Sequence, residues 1–173
     1  LFRERAAEAK RQAVERRERV LTEARASLKA SDCDPDRYIA AARACKQLGR
    51  LQETLEILKQ GIGRCAPSAP LYEYYIERLE KCNRTEEAIA AAREATVLFP
   101  DELIFRLREA LILPVLYNSQ EQIDQYRLRF TEGLQRIIEE VPMDTAADRQ
   151  RALAAIGKNV NKYLGYQGYN DRK

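Results

Sequence analysis

The chain is expected to be all-α, a right-handed helical solenoid of antiparallel helix pairs with a long N-terminal helix and a C-terminal capping helix. Three observations carry that expectation. Apolar residues make up 45% of 173 residues, enough for a buried core. Gly (7) and Pro (6) are both scarce, which suits long helices joined by short turns. Finally, the sequence matches itself at a step of 34 residues, a period at which each unit is a helix pair unable to bury its apolar face alone.

The chain divides into residues 1–30, a long charged helix; 31–100, two repeat units; 101–141, a degenerate third pair; and 142–173, a capping helix and the start of a linker. Residues 2–29 lack Gly and Pro and read as one helix, with Val20, Leu21, Ala24 and Leu28 on an apolar stripe. That stripe either covers the first repeat or belongs to the second helix of an earlier, incomplete one. Arg11, Glu15 and Arg19 stand one turn apart and are expected to pair. Residues 1–30 hold nine Lys or Arg and five Glu, so the net +3 of the chain is concentrated there. Interleaved glutamates and few aromatics favour a solvated helix over an arm for RNA or a membrane surface.

Asp34 is a suitable N-cap, followed by Pro35 in the first turn. The first repeat is then read as helix 35–48, a glycine turn at Gly49, and helix 51–64, with Gly61 as the small residue at a close approach. The second repeat follows the same plan with helices 70–81 and 85–98, Thr85 capping the latter, and Ala88 and Ala95 as its small packing residues. In the third unit Asp101 caps a helix that Pro114 stops early. Asn118-Ser119 opens another helix, Ser119 and Gln122 being spaced as a capping box. Its expected buried face is Ile123, Tyr126, Phe130, Gly133-Leu134 and Ile137, and matching Gly133 to Gly61 implies about four extra residues in the turn. Pro142 ends this helix, Thr145 and Asp148 start the last, and Leu153, Ile156, Val160, Tyr163 and Leu164 form its stripe.

The order Tyr38, Ala41-Ala42, Leu48-Gly49, Leu58, Gly61, then Tyr72, Tyr75-Ile76, Cys82-Asn83, Ala92, Ala95 and Pro100 resembles tetratricopeptide repeats (TPRs). The resemblance implies a concave groove lined by the first helix of each pair. On that template Ile39, Arg43, Lys46 and Gln47 face Glu73, Glu77, Glu80 and Lys81. Such a surface is expected to hold a protein or peptide partner, with no nucleic acid and no membrane involved. A basic rung beside an acidic one reads as a mixed-charge peptide site or, preferably, as the ion pairs Arg43–Glu77 and Lys46–Glu80. The Lys and Asn clamp of chaperone-binding TPRs is not matched by Ile39 and Arg43. Where some TPR superhelices carry an asparagine ladder, this chain has Ala40 and Tyr74.

Catalytic residues are not expected. His is absent, and no phosphate-binding glycine loop or metalloprotease motif occurs. No cofactor-binding residues and no metal ligands are assigned. Cys33, Cys45, Cys65 and Cys82 are too dispersed for a zinc motif and read as reduced, core-packing residues in a cytoplasmic protein.

Two further stretches, Leu111-Ile112-Leu113-Pro114-Val115-Leu116-Tyr117-Asn118-Ser119 with Tyr126-Arg127-Leu128-Arg129-Phe130, and Asn159 with Tyr163-Leu164 and Tyr166-Gln167-Gly168-Tyr169-Asn170-Asp171, are similar to the linker between TPRs and catalytic region in bacterial SPINDLY-like proteins. Those are relatives of O-linked N-acetylglucosamine transferase. The resemblance implies a longer polypeptide in which two Rossmann-like lobes follow and transfer a sugar from a UDP-sugar to Ser or Thr of a protein. The alternative is a free-standing TPR adaptor with no enzyme attached.

Overall fold

The computed structural model describes residues 2–29 and 33–158, together with Leu164 and Gln167. Eight α-helices and no strand occur among them: α1 Phe2–Ser27, α2 Pro35–Gln47, α3 Leu51–Arg64, α4 Ala69–Lys81, α5 Thr85–Leu98, α6 Leu103–Leu111, α7 Gln120–Glu140 and α8 Ala146–Ile156. No helix among the described residues is long and apolar enough to cross a membrane. The chain folds as two compact units, Leu1–Arg78 and Leu79–Lys173, with the boundary inside α4.

Helix bounds recur at 34 residues. Pro35, Ala69 and Leu103 open α2, α4 and α6, while Leu51 and Thr85 open α3 and α5. The turns between partners repeat as well. Gly49 (φ 74°) and Asn83 (φ 55°) both adopt the left-handed conformation that ends a helix. In each turn the next residue's amide reaches back to a helix carbonyl, Arg50 N–H to Cys45 O (3.1 Å) and Arg84 N–H to Leu79 O (2.9 Å). Asparagine is the non-glycine residue that tolerates this geometry best.

In the first unit α2 packs against both α1 and α3. The core is Leu21, Tyr38, Ile39, Ala41, Ala42, Ala44, Cys45, Ile57, Leu58 and Leu71, with Ala24 and Leu28 at its edge. Val20, expected on the α1 stripe, is exposed, because the helix rotates Leu21 rather than Val20 onto α2. Arg11 pairs with Glu8 (2.8 Å) instead of Glu15. Farther along, Glu18–Arg50 and Arg25–Glu53 (both 2.5 Å) tie α1 to the start of α3. Half-exposed pairs of this kind contribute ~0.2–1 kcal/mol each.

Gly61 meets the ring of Tyr38. A Cβ there would stand 2.7 Å from Tyr38 Cγ and 2.9 Å from its Cβ, atoms at the root of a buried side chain that cannot swing away. Gly63, two residues on, has nothing within 4 Å of the same atom. Gly61→Ala is therefore expected to destabilise the first unit by ~1–3 kcal/mol through overpacking. Gly63→Ala should stabilise by ~0.5–1 kcal/mol through helix propensity. Urea unfolding of the two variants checks the contrast; equal midpoints would refute the close approach.

The cysteine expectation is corrected. Cys33 and Cys65 form a disulfide, with Cα atoms 5.1 Å apart. Cys33 precedes α2 and Cys65 follows α3, so antiparallel pairing brings the open end of that hairpin together. Cys45 and Cys82 remain thiols, Cys45 in the core.

In the second unit α6 is central, packing against α5, α7 and α8. Ile104, Phe105 and Leu107 are buried on it, and Phe99 contacts Phe105 with ring centroids 5.5 Å apart. Two expected caps do not form. Thr85 is the first residue of α5 rather than its cap, and α6 begins after Glu102 rather than on Asp101; neither helix has a side-chain cap. The 34-residue register sets both starts, so the eligible capping residue falls out of place by one. Other expected caps are present: Asp34 accepts from Asp36 N–H (3.0 Å), Ser119 from Gln122 N–H (3.2 Å), and Thr145 and Asp148 complete a reciprocal capping box.

Pro114 shortens α6, which ends at Leu111 where the equivalent α4 runs on by four residues. Two carbonyls at this early end, those of Glu109 and Ile112, accept from Arg129. Asn83 Oδ1 accepts from Val115 N–H (3.0 Å), anchoring the segment that follows. On α7, Tyr126, Phe130 and Gly133 are buried as expected, whereas Leu134 is exposed. On α8, Leu153 and Ile156 are exposed as well, and the helix buries Ala152 and Ala155 instead. Val160 and Tyr163 lie outside the described residues; Leu164 is half-buried.

Candidate binding surface

The residues assigned to the groove fall on α2 and α4, but they differ in availability. Arg43, Lys46 and Gln47 are exposed. Ile39 is 6% exposed and belongs to the core, because α2 is covered by helices on two sides and its buried face is wider than one stripe. Glu73 and Glu77 are half-buried on the first three turns of α4. Glu80 and Lys81 lie in the second unit, where Glu80 pairs with the buried Arg108 (3.1 Å) and Lys81 is exposed.

Within the first unit the expected Arg43–Glu77 pair is replaced by a different arrangement. Glu77 pairs with its neighbour Arg78. Arg43 lies over the ring of Tyr74, 5.6 Å from its centroid, and Arg78 lies 5.2 Å from the same centroid. Two guanidinium groups thus share one aromatic ring, an arrangement the ring quadrupole favours by ~0.5–2 kcal/mol per cation. The Tyr74 hydroxyl and the Arg78 Nε–H are both buried and have no hydrogen-bond partner. Burial raises the Tyr74 hydroxyl above its ordinary range, against the pull of Arg78, so the group is a neutral donor at neutral pH.

Tyr74 and Arg78 were not among the expected site residues. One signal was available: they stand four apart on α4, the spacing at which a cation reaches an aromatic neighbour on a helix.

The cations exposed on α2 are Arg43 and Lys46. Burial pushes the Cys45 thiol up, with Arg25 opposing and Glu53 adding to the rise, which leaves it protonated and inert. Among the described residues no cluster of three or more His, Cys, Asp or Glu is arranged to hold a metal ion.

A second arrangement joins the two stretches that carry the linker resemblance. Gln167 is buried; its amide nitrogen donates to the Tyr117 hydroxyl, and its oxygen accepts from Arg127 (2.9 Å). Tyr117 meets Tyr126 edge to face (6.1 Å), and the Tyr126 hydroxyl donates to Glu86. Burial and the Glu86 carboxylate both push that hydroxyl far up, so it stays protonated.

Compared with known protein families, with curated proteins and with solved structures, the chain gives no match.

Proposed function

We propose that this chain is a protein-interaction segment of the TPR kind, whose first-of-pair helices present a groove to a partner or acceptor protein. The recurrence of helix starts at residues 35, 69 and 103, with left-handed turn residues at 49 and 83, is the observation that carries this reading. In helix-pair repeats the helices commonly present a surface on which another chain docks. The exposed Arg43, held over the Tyr74 ring, suits a partner rich in acceptors, such as carbonyl oxygens or carboxylates.

A photo-reactive amino acid at Lys46, compared with one at Lys59 on α3, tests the assignment. Both positions are exposed. Partner protein should be captured from Lys46 at several times the yield from Lys59. Equal yields from the two helices would refute a groove on α2.

We further propose that the segment belongs to a glycosyltransferase-like protein, in which it selects the acceptor. Support comes from Tyr117 and Gln167, 50 residues apart and one in each resembling stretch, which lie in hydrogen-bond contact. Such a contact suits a linker that must hold fixed geometry between a binding surface and a following region. Two α/β lobes encoded after Lys173 are the expected finding. A stop codon directly after it would leave the free-standing adaptor.

A further inference from the structure

A polar cleft of about 220 Å³ lies wholly within the Leu79–Lys173 unit, between α5, α6 and α7. Its floor is formed where Gly133 meets Ala110, so tightly that a Cβ on Gly133 would stand 2.6 Å from that of Ala110. Small residues at the bottom leave the walls to charged side chains. Four arginines line it against two glutamates. Arg93 pairs with Glu109 (2.9 Å), and Arg106 pairs with Glu140.

The other two arginines form no ion pair with a carboxylate among the described residues; Glu86 and Glu109 act on Arg129 only from beyond pairing distance. Arg129 donates only to backbone carbonyls, and its Nε–H is buried without an acceptor. Arg136 is exposed on the wall and makes no ion pair. Counted over its lining side chains, the cleft therefore holds two more arginines than glutamates, on a scaffold of three packed helices.

We propose that this cleft binds a phosphate monoester dianion. A carboxylate would neutralise one of the two surplus charges. A phosphate monoester carries about −1.5 to −2 at neutral pH and presents three acceptor oxygens. Its geometry suits the planar donor fork of arginine. None of the residues involved belongs to the α2 and α4 surface, so the proposal stands independently of the partner-groove reading. The dianion comes either from a small phosphate compound or from a phosphorylated side chain of another protein.

Amide and arginine Nε resonances of the full chain report on the cleft during titration at constant ionic strength. The ligands are inorganic phosphate, a phosphoserine peptide and acetate. Saturable shifts are expected for phosphate and the phosphopeptide, confined to residues 93–96, 106–110 and 129–137. Arg136→Gln, at an exposed position, should leave the spectrum folded and weaken binding about tenfold. Tighter binding of the peptide than of phosphate assigns the dianion to a phosphoprotein; equal binding assigns it to a small compound. Non-saturating shifts, shifts that acetate reproduces, or unchanged affinity in Arg136→Gln would each overturn the proposal.

Discussion

Reducing the Cys33–Cys65 bond is expected to lower the stability of the first unit by ~3–4 kcal/mol. The two cysteines are 32 residues apart, so the bond closes a loop spanning the whole α2–α3 hairpin. Fixing that loop removes conformational freedom from the unfolded chain, and a loop of this length corresponds to about 3–4 kcal/mol in the chain-entropy account. For a unit of this size, the melting temperature should fall by about 15 °C or more. Cys33 is exposed, so a thiol reductant reaches it without prior unfolding. The Cys33→Ser, Cys65→Ser double variant should show the same loss and no further response to reductant. Hydrogen exchange read over residues 35–64 localises the effect to the hairpin. If reductant leaves that protection unchanged in the unsubstituted chain, the bond does not hold the hairpin. The consequence reaches the proposed binding surface, because α2 carries Arg43 and Lys46.

Helix order and most boundaries were legible because the punctuation is local. Gly49, Asn83 and Pro114 each act within a turn of their own position, and their effect follows from φ and from a missing N–H. The disulfide was not legible from spacing, since 32 residues matches no short motif. It becomes so once α2 and α3 are drawn antiparallel, which places the residue before one helix beside the residue after the other. Caps failed where residue type and register disagree. Thr85 and Asp101 are good capping residues, yet the helices start where the packing period sets them. Of the positions expected to line a groove, the helices that carry them were legible and the surroundings of their side chains less so. Ile39 lies in the core because α1 covers α2 from a second side, a contact beyond the reach of a single-helix pattern. Arg43 is exposed, and its neighbour across the helices is an aromatic ring rather than the expected carboxylate.

Removing Arg129 is expected to be the most damaging single change in the second unit. Its guanidinium spans two backbone carbonyls at the broken end of α6 and lies over the ring of Tyr126, 5.2 Å from the centroid. Burial lowers its pKa, against the raising influence of Tyr126 and Glu86, yet an arginine remains charged throughout the physiological range. In Arg129→Met the stem volume is kept while both carbonyls lose their donor. Each buried acceptor left unmet costs ~1–3 kcal/mol, so a loss of about 2–5 kcal/mol is expected in urea unfolding. Arg129→Lys should recover only part, because a point charge cannot serve two oxygens in the fixed fork of a guanidinium. The need for Arg129 arises from Pro114, which stops α6 four residues short of the length α4 attains. In Pro114→Ala the helix is free to continue, and the carbonyls acquire helical donors of their own. The loss caused by Arg129→Met should then shrink by ~1 kcal/mol or more in the Pro114→Ala background. Strict additivity between the two substitutions would show that Arg129 stabilises the unit by some route other than the broken helix end.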